Sequence, residues 1–253
     1  MDKITIVSKP QRLAMLRAFH SEDDALPRAV TSQDESAAVV ANGLLAFTKG
    51  VSRAYRQDIK NAYLYATMAA DNKYGSYAAG EDWYKAFCQV MALAGWVAKD
   101  MSYRAYTSRE KHLSMEKVAV EILKGAIISA AMGPAGTLEA LESARKAVAV
   151  VASEDSALKL FDSSAKTDSG ANFGIGSVVE EDGDVCMALA MVQYTGHENA
   201  TSVLFTNWDS SSLKIYQAKT VFWMDEIGVE DSRDLIREKL GEARKRKMAE
   251  FAI

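Results

Sequence analysis

The chain has 253 residues, 49% of them hydrophobic and 25% charged, which is enough apolar material for a substantial core and near the upper size of a single domain. A formal charge of -4, with no concentrated basic stripe in either half, lacks the electrostatic footprint of a phosphate-tracking surface, so nucleic acid is set aside as a partner. Two cysteines, Cys88 and Cys186, allow at most one disulfide, and their helical and strand-like contexts predict two free thiols.

The N-terminal run "MDKITIVSKPQRLAML" lacks the charged-then-apolar order and small-residue cleavage site of a secretory signal. That predicts a chain that stays in the cytoplasm or is secreted without a cleaved signal peptide. Pro10, Pro27 and Pro134 are its three prolines, so long helices are permitted and breaks are few. "TSQDESAAVVANGLLAF" reads as a helix, with Thr31 or Ser32 as N-cap and Asp34 and Glu35 in the first turn, where the helix dipole favours acids. In "QDIKNAYLYATMAADNKYG", Ile59, Tyr63, Ala66 and Ala70 share one helical face and Gly75 is placed to end it. "EDWYKAFCQVMALAGWVAKDM" continues the pattern, with Trp83, Phe87, Val90, Met91, Ala94 and Val97 at helical spacing.

A further helix is expected from about Arg109 into "VAVEILKGAIISAAMGPAG", broken at Gly133-Pro134. Thr137 then caps "LEALESARKAVAVVA", whose Leu138, Leu141, Val148 and Val151 are predicted to face a core. After Gly170 the period changes. "NFGIGSVVEEDGDVCMALAMVQYTG" reads as two strands around Asp182-Gly183, where Gly supplies positive φ. "TSVLFTNW" and "LKIYQAKTVFWM" follow as strands separated by "DSSS", and such short connections fit an antiparallel meander. Alternation slips near Gln217 to Lys219, which predicts a bulge or a second tight turn. The last helix has Asp231 as N-cap, Asp234 in its first turn and Arg244 to Lys247 near its end, a charge order that complements the dipole. Gly241 inside it suggests a close approach to the sheet.

Few residues form a recognisable chemical constellation. His20, His112 and His197 are scattered, with no second His or Cys at ligand spacing, whereas zinc needs three or four converging ligands; no metal is proposed. "FGIGS" has no third glycine, following helix or Walker lysine, so its glycines read as sites where another element packs close. No serine sits in a nucleophile elbow. The acidic groups "SEDD", "EED" and "SED" fall at helix starts or turns, and nothing selects a carboxylate pair. "GAIISAAMGPAG" spans 12 residues, short of the ~20 needed to cross a bilayer as a helix.

The most informative stretch is "DVCMALAMVQY". Alternation places Val185, Met187, Leu189 and Met191 on one face and Cys186, Ala188, Ala190, Val192 and Tyr194 on the other. Both faces are apolar, which predicts a central strand covered on both sides. The Cys186 face is built of small residues. Either they let a helix pack tightly, with Cys186 as a small hydrophobe, or Ala188, Ala190 and Val192 line a slot beside a thiol for a slender apolar ligand or acyl chain. No basic group is visibly placed to lower the thiol pKa, which argues against a catalytic cysteine.

A helical first part followed by "FGIGSVVEEDGDVCMALAMVQY", a short aromatic strand, "SSLKIYQAKTVFWM" and a final "LIREKLGEAR" helix resembles bacterial proteins of the Erwinia virulence factor (Evf) type, chiefly over the last third of the chain. The resemblance implies helices surrounding an antiparallel sheet and a fatty acyl group thioester-linked to a buried cysteine, which by position would be Cys186. It also implies an insect-directed virulence or toxic role at host membranes, without enzymatic activity. One acyl chain anchors only marginally, so a second membrane contact is required, and "GAIISAAMG" or the aromatic helices could supply it.

The expected architecture is therefore α+β: a single domain over residues 1–253, with a helical part to about 166 packed around an antiparallel meander and closing helix over about 170–253. The alternative function is an intracellular domain that binds a lipid-like ligand without a covalent bond.

Overall fold

The computed structural model describes residues 8–18, 30–31, 36–75, 80–108, 110–196 and 202–250. Helix α1 (Lys9–Ala18) precedes three short strands, β1 (Val30–Thr31), β2 (Ala37–Val40) and β3 (Gly43–Phe47). Expectation and structure part here: 37–47 is a hairpin, not a helix. Every residue from 37 to 48 is buried, and a short, almost wholly apolar run has no polar face by which periodicity could tell strand from helix. The hairpin turns at Ala41, with φ 51, followed by Asn42. Ser32, Asp34 and Glu35, expected at a helix start, lie outside the described residues, and Thr31 belongs to β1.

Helix α2 (Arg53–Tyr74) starts at Ser52, whose hydroxyl accepts the Tyr55 N–H at 3.2 Å, and it stops at Gly75, φ 73. Its predicted stripe of Ile59, Tyr63, Ala66 and Ala70 is buried. Helix α3 (Glu81–Leu93) buries Trp83, Phe87, Val90 and Met91 as expected. It ends earlier than its periodicity suggested, because Gly95 adopts φ +88 and presses against the backbone of Gly228 and Val229, leaving no room for a Cβ. Val97 therefore falls in strand β4 (Trp96–Tyr106).

Strand β5 (His112–Ser114) leads into α4 (Met115–Ser129), so this helix begins later than expected; Arg109 lies outside the described residues. Gly133-Pro134 does break the chain, and Pro134 opens α5 (Pro134–Ser153) at its first position, where the missing N–H costs nothing. Thr137 is thus inside α5 and not its cap. Leu138 is 58% exposed, against expectation, while Val148 and Val151 are buried.

Helix α6 (Asp155–Ala165) and strand β6 (Lys166–Thr167) then lead to the long hairpin β7 (Gly170–Glu181) and β8 (Asp184–Thr195). Asp182 (φ 54) and Gly183 (φ 88) form the turn that the sequence announced. Residues 203–205, expected in a strand, form a buried turn tied to α6: the Asp162 carboxylate accepts the Val203 N–H at 2.8 Å and the Ser202 hydroxyl at 3.3 Å. Strand β9 (Asn207–Asp209) pairs with β5 in a small separate sheet. A 3-10 turn at Ser210–Ser212 precedes β10 (Lys214–Met224) and α7 (Glu226–Glu250).

The main sheet runs β1-β2-β3-β7-β8-β10-β4, with β6 also pairing to β7. The meander β7-β8-β10 is antiparallel, as expected, but β3 joins β7 in parallel. Helices cover both faces, giving an α+β fold. One core layer holds α2, α3 and α7 against Met187, Leu189 and Met191; the other holds α4, α5 and α6 against Cys186, Ala188 and Ala190. The irregularity predicted in β10 lies one strand over. Pairing with β8 is continuous, whereas opposite Thr220 strand β4 carries two residues, Asp100 and Met101, with Asp100 at φ 52.

The final helix starts at Glu226, five residues before the expected cap Asp231. Asp231 instead pairs with Lys9 at 2.7 Å and Arg12 at 2.9 Å on α1. Gly241 has open space where a Cβ would stand, so it makes no close approach to the sheet. The "FGIGS" glycines do: a Cβ on Gly174 would stand 2.6 Å from the Tyr63 hydroxyl, and one on Gly176 would stand 3.0 Å from Leu45.

Candidate functional site

Cys186 is the third residue of β8, just past the Asp182-Gly183 turn, and it pairs with Val179 of β7 and Trp223 of β10. It is 2% exposed. Its thiol donates to the sulfur of Met132 at 3.5 Å. Met132 belongs to the elbow between α4 and α5, where Ala131 takes the left-handed conformation at φ 55, a cost of about 1–2 kcal/mol for a non-glycine residue.

Three contacts hold the elbow over the thiol. The Glu181 carboxylate sits against the first turn of α5, 3.2 Å and 3.0 Å from where Cβ atoms on Gly133 and Gly136 would stand. A negative charge at a helix N-terminus is favourable. The Ser177 hydroxyl donates to the Ala140 carbonyl at 3.0 Å, tying α5 to β7, and Lys219 Nζ donates to Ser129 Oγ at 2.9 Å, tying the end of α4 to β10.

Electrostatics leave the thiol protonated. Burial, followed by the negative charges of Glu181 and Asp184, pushes its pKa up to about 11. A buried thiol of that kind is a poor nucleophile at neutral pH. Ala188, Ala190 and Val192 share the Cys186 face, as alternation predicted, and all three are buried with α4 seated against them. Cys88 lies in the other core layer, on α3; burial pushes its pKa up to about 12, with Tyr84 and Thr220 offsetting part of the rise. The two cysteines are free and occupy opposite faces of the sheet.

Among the described residues no group of three or more His, Cys, Asp or Glu side chains is placed to hold a metal ion. His112 is exposed on β5; His20 and His197 lie outside those residues. No described helix is long and apolar enough to cross a membrane. Two of the exposed large apolar side chains, Ile128 (60%) and Leu138 (58%), flank the α4–α5 elbow.

Sequence reading missed a second arrangement. Trp83, Tyr84, Tyr103 and Tyr216 surround a hollow that also receives the amides of Asn172 and Gln193. The available signal was the polar pair Asn172 and Gln193, each at the end of an otherwise apolar strand.

No family model matches the chain, and neither does any curated protein. A solved structure described as the Evf virulence factor covers 89% of this chain and 89% of its own, at 10% identity and a TM-score of 0.33. That overlap is too low to carry any residue correspondence from one chain to the other.

Proposed function

We propose that the chain is a non-enzymatic protein of the bacterial virulence type, directed at insect-host membranes, and that Cys186 is its S-acylation site. The segment order of the C-terminal third supports the class. The observation that carries the site is the thiol itself, 3.5 Å from Met132 under a short elbow whose two sides expose Ile128 and Leu138. A thioester formed there places its chain between small residues and a helical hairpin, where water is excluded until the elbow moves. The thiol is not self-activated, so an acyl-thioester donor must supply the acyl group: the Cys186 S–H is replaced by an S–C bond, and the donor's thiol leaves with the proton. In this reading contact is peripheral, and the acyl chain together with the exposed Ile128 and Leu138 provides the two signals that stable attachment requires.

The test is intact-mass measurement of protein from its native producer before and after neutral hydroxylamine. The expected result is a fatty-acyl mass increment that hydroxylamine removes and that Cys186→Ser never acquires. An unmodified native mass, unchanged by hydroxylamine, would overturn the acylation and favour a lipid-like ligand held without a bond. Leakage of liposomes loaded with a fluorescent dye should drop for Cys186→Ser; leakage equal to wild type separates the thiol from membrane action.

A further inference from the structure

Trp96 opens β4 where the chain leaves α3, and α2 and α7 pack beside it. Gly95, just before it, lies against the backbone of Gly228 and Val229, and its carbonyl accepts the Asp225 N–H at 2.8 Å. The Ser232 hydroxyl donates to the Ala94 carbonyl at 3.1 Å. These contacts pin the start of the closing helix to the end of α3. At the junction Trp96 is wholly buried, and its indole N–H has no partner among the described residues. Leaving a buried donor unpaired is costly, so such groups are as a rule satisfied by protein or by ordered water.

Beside Trp96 lies a cavity of about 10 Å³, lined also by Asp58 and Asn61 of α2 and by Ser232 and Arg233 of α7. That is about the smallest space that admits one water, and it is too little for any larger molecule. The lining supplies acceptors to match the unpaired donor. The Asp58 carboxylate takes three contacts from Arg233, at 2.8, 3.0 and 3.1 Å, and two carboxylate oxygens offer about four lone-pair sites. Ser232 spends its proton on the Ala94 and Val229 carbonyls, which leaves its oxygen able to accept. Asn61 is turned to Gln57, from which its oxygen accepts at 2.9 Å. Arg233, with Arg237 at 3.7 Å, balances the Asp58 charge, so the space suits a neutral guest and not a cation.

We propose that this cavity binds one water molecule, which accepts from the Trp96 indole N–H and donates to the Asp58 carboxylate and to the Ser232 hydroxyl oxygen. Three partners is the usual complement of a buried water. The molecule links β4, α2 and α7 at one point, and so seats the closing helix on the sheet. Trp96 belongs to the core layer across the sheet from Cys186, and the inference does not rest on acylation.

Water–protein NOESY and ROESY spectra of the full chain test it. The Trp96 indole proton is assigned as the signal missing from Trp96→Phe. It should show a water cross-peak in both spectra, opposite in sign to the diagonal in ROESY, as through-space contact requires and chemical exchange does not. The Trp83 indole proton, committed to Asp71 at 2.8 Å, is the internal control and should show none. The cross-peak should persist in Ser232→Ala, where no hydroxyl proton can relay it and Asp58 still accepts. It should vanish in Ala62→Val, whose added methyl groups fill the cavity that Ala62 lines, with circular dichroism confirming the fold. No through-space peak at Trp96 overturns the proposal. Loss of the peak in Ser232→Ala also overturns it, by assigning the transfer to the hydroxyl, as does a peak that survives in folded Ala62→Val.

Discussion

The indole N–H of Trp83 on α3 donates to the carboxylate of Asp71 on α2 at 2.8 Å, joining the two helices across their connection. Burial raises the Asp71 pKa from 3.8 to about 6, and the Trp83 hydrogen bond offsets only part of that rise. The folded state therefore holds the Asp71 proton more tightly than the unfolded chain does. The stability this contributes is fully present below pH 3.8 and is lost as pH rises through about 6. A shift of about 2 units corresponds to something on the order of 3 kcal/mol. Asp71→Asn keeps an oxygen for Trp83 and removes the charge, so it should raise the thermal midpoint at pH 7.5 and flatten the stability profile between pH 4 and 7. Thermal unfolding across that range reads both effects, and a variant profile parallel to wild type would refute the assignment.

Tyr63 controls the parallel seam between β3 and β7. Its hydroxyl is buried without a partner among the described residues, while its ring and oxygen fill the space left by Gly43 and Gly174, which pair across the seam. A Cβ on Gly174 would meet the hydroxyl oxygen at 2.6 Å. Gly174→Ala should destabilise by about 1–3 kcal/mol, the usual cost of overpacking. Tyr63→Phe should be neutral or stabilising, since it deletes an unsatisfied polar atom. In the Tyr63→Phe background the Gly174→Ala penalty should fall by more than half. Urea denaturation of the four proteins closes the cycle; additive effects would mean the two sites are not in contact.

The Cys186 thiol should be slow to react with a disulfide reagent in a Cys88→Ser protein, because both its burial and its raised pKa oppose attack. Met132→Ala removes the sulfur above it without touching the sheet. Labelling should accelerate roughly tenfold, as for an opening that costs ~1.4 kcal/mol less. An unchanged rate would show that the elbow does not limit access.

Arg233 on α7 grips Asp58 on α2 through both carboxylate oxygens, with contacts of 2.8, 3.0 and 3.1 Å, and the Asp58 side chain is 4% exposed. Arg237 stands 3.7 Å away. Arg233→Ala leaves a buried carboxylate with only this longer contact and should cost about 2–4 kcal/mol, somewhat below a fully orphaned charge. Arg233→Lys should recover little, because one ammonium cannot reproduce the bidentate grip. Chemical denaturation at low and high salt checks the size and the weak screening expected of a buried pair.

Local patterns carried the reading where they were unambiguous. The 3.6-residue stripes of α2 and α3, the Gly133-Pro134 break, the Asp182-Gly183 turn and the two-face alternation of β8 all have a periodicity or a backbone requirement written into single residues. The sequence alone thus determined that Cys186, Ala188, Ala190 and Val192 share one covered face. It could not separate strand from helix at 37–47, because a segment buried on every side has no polar face to betray its period.

Only the tertiary structure decided what stands above and beside these residues. Met132 reaches Cys186 across 54 positions of sequence, Tyr63 of α2 fits against the two glycines that pair across the parallel β3–β7 seam, and the amide row beside Tyr216 depends on the register of β7, β8 and β10. Such contacts are set by which elements pack together, and the free energy that selects them is summed over the whole core, so no local pattern encodes them.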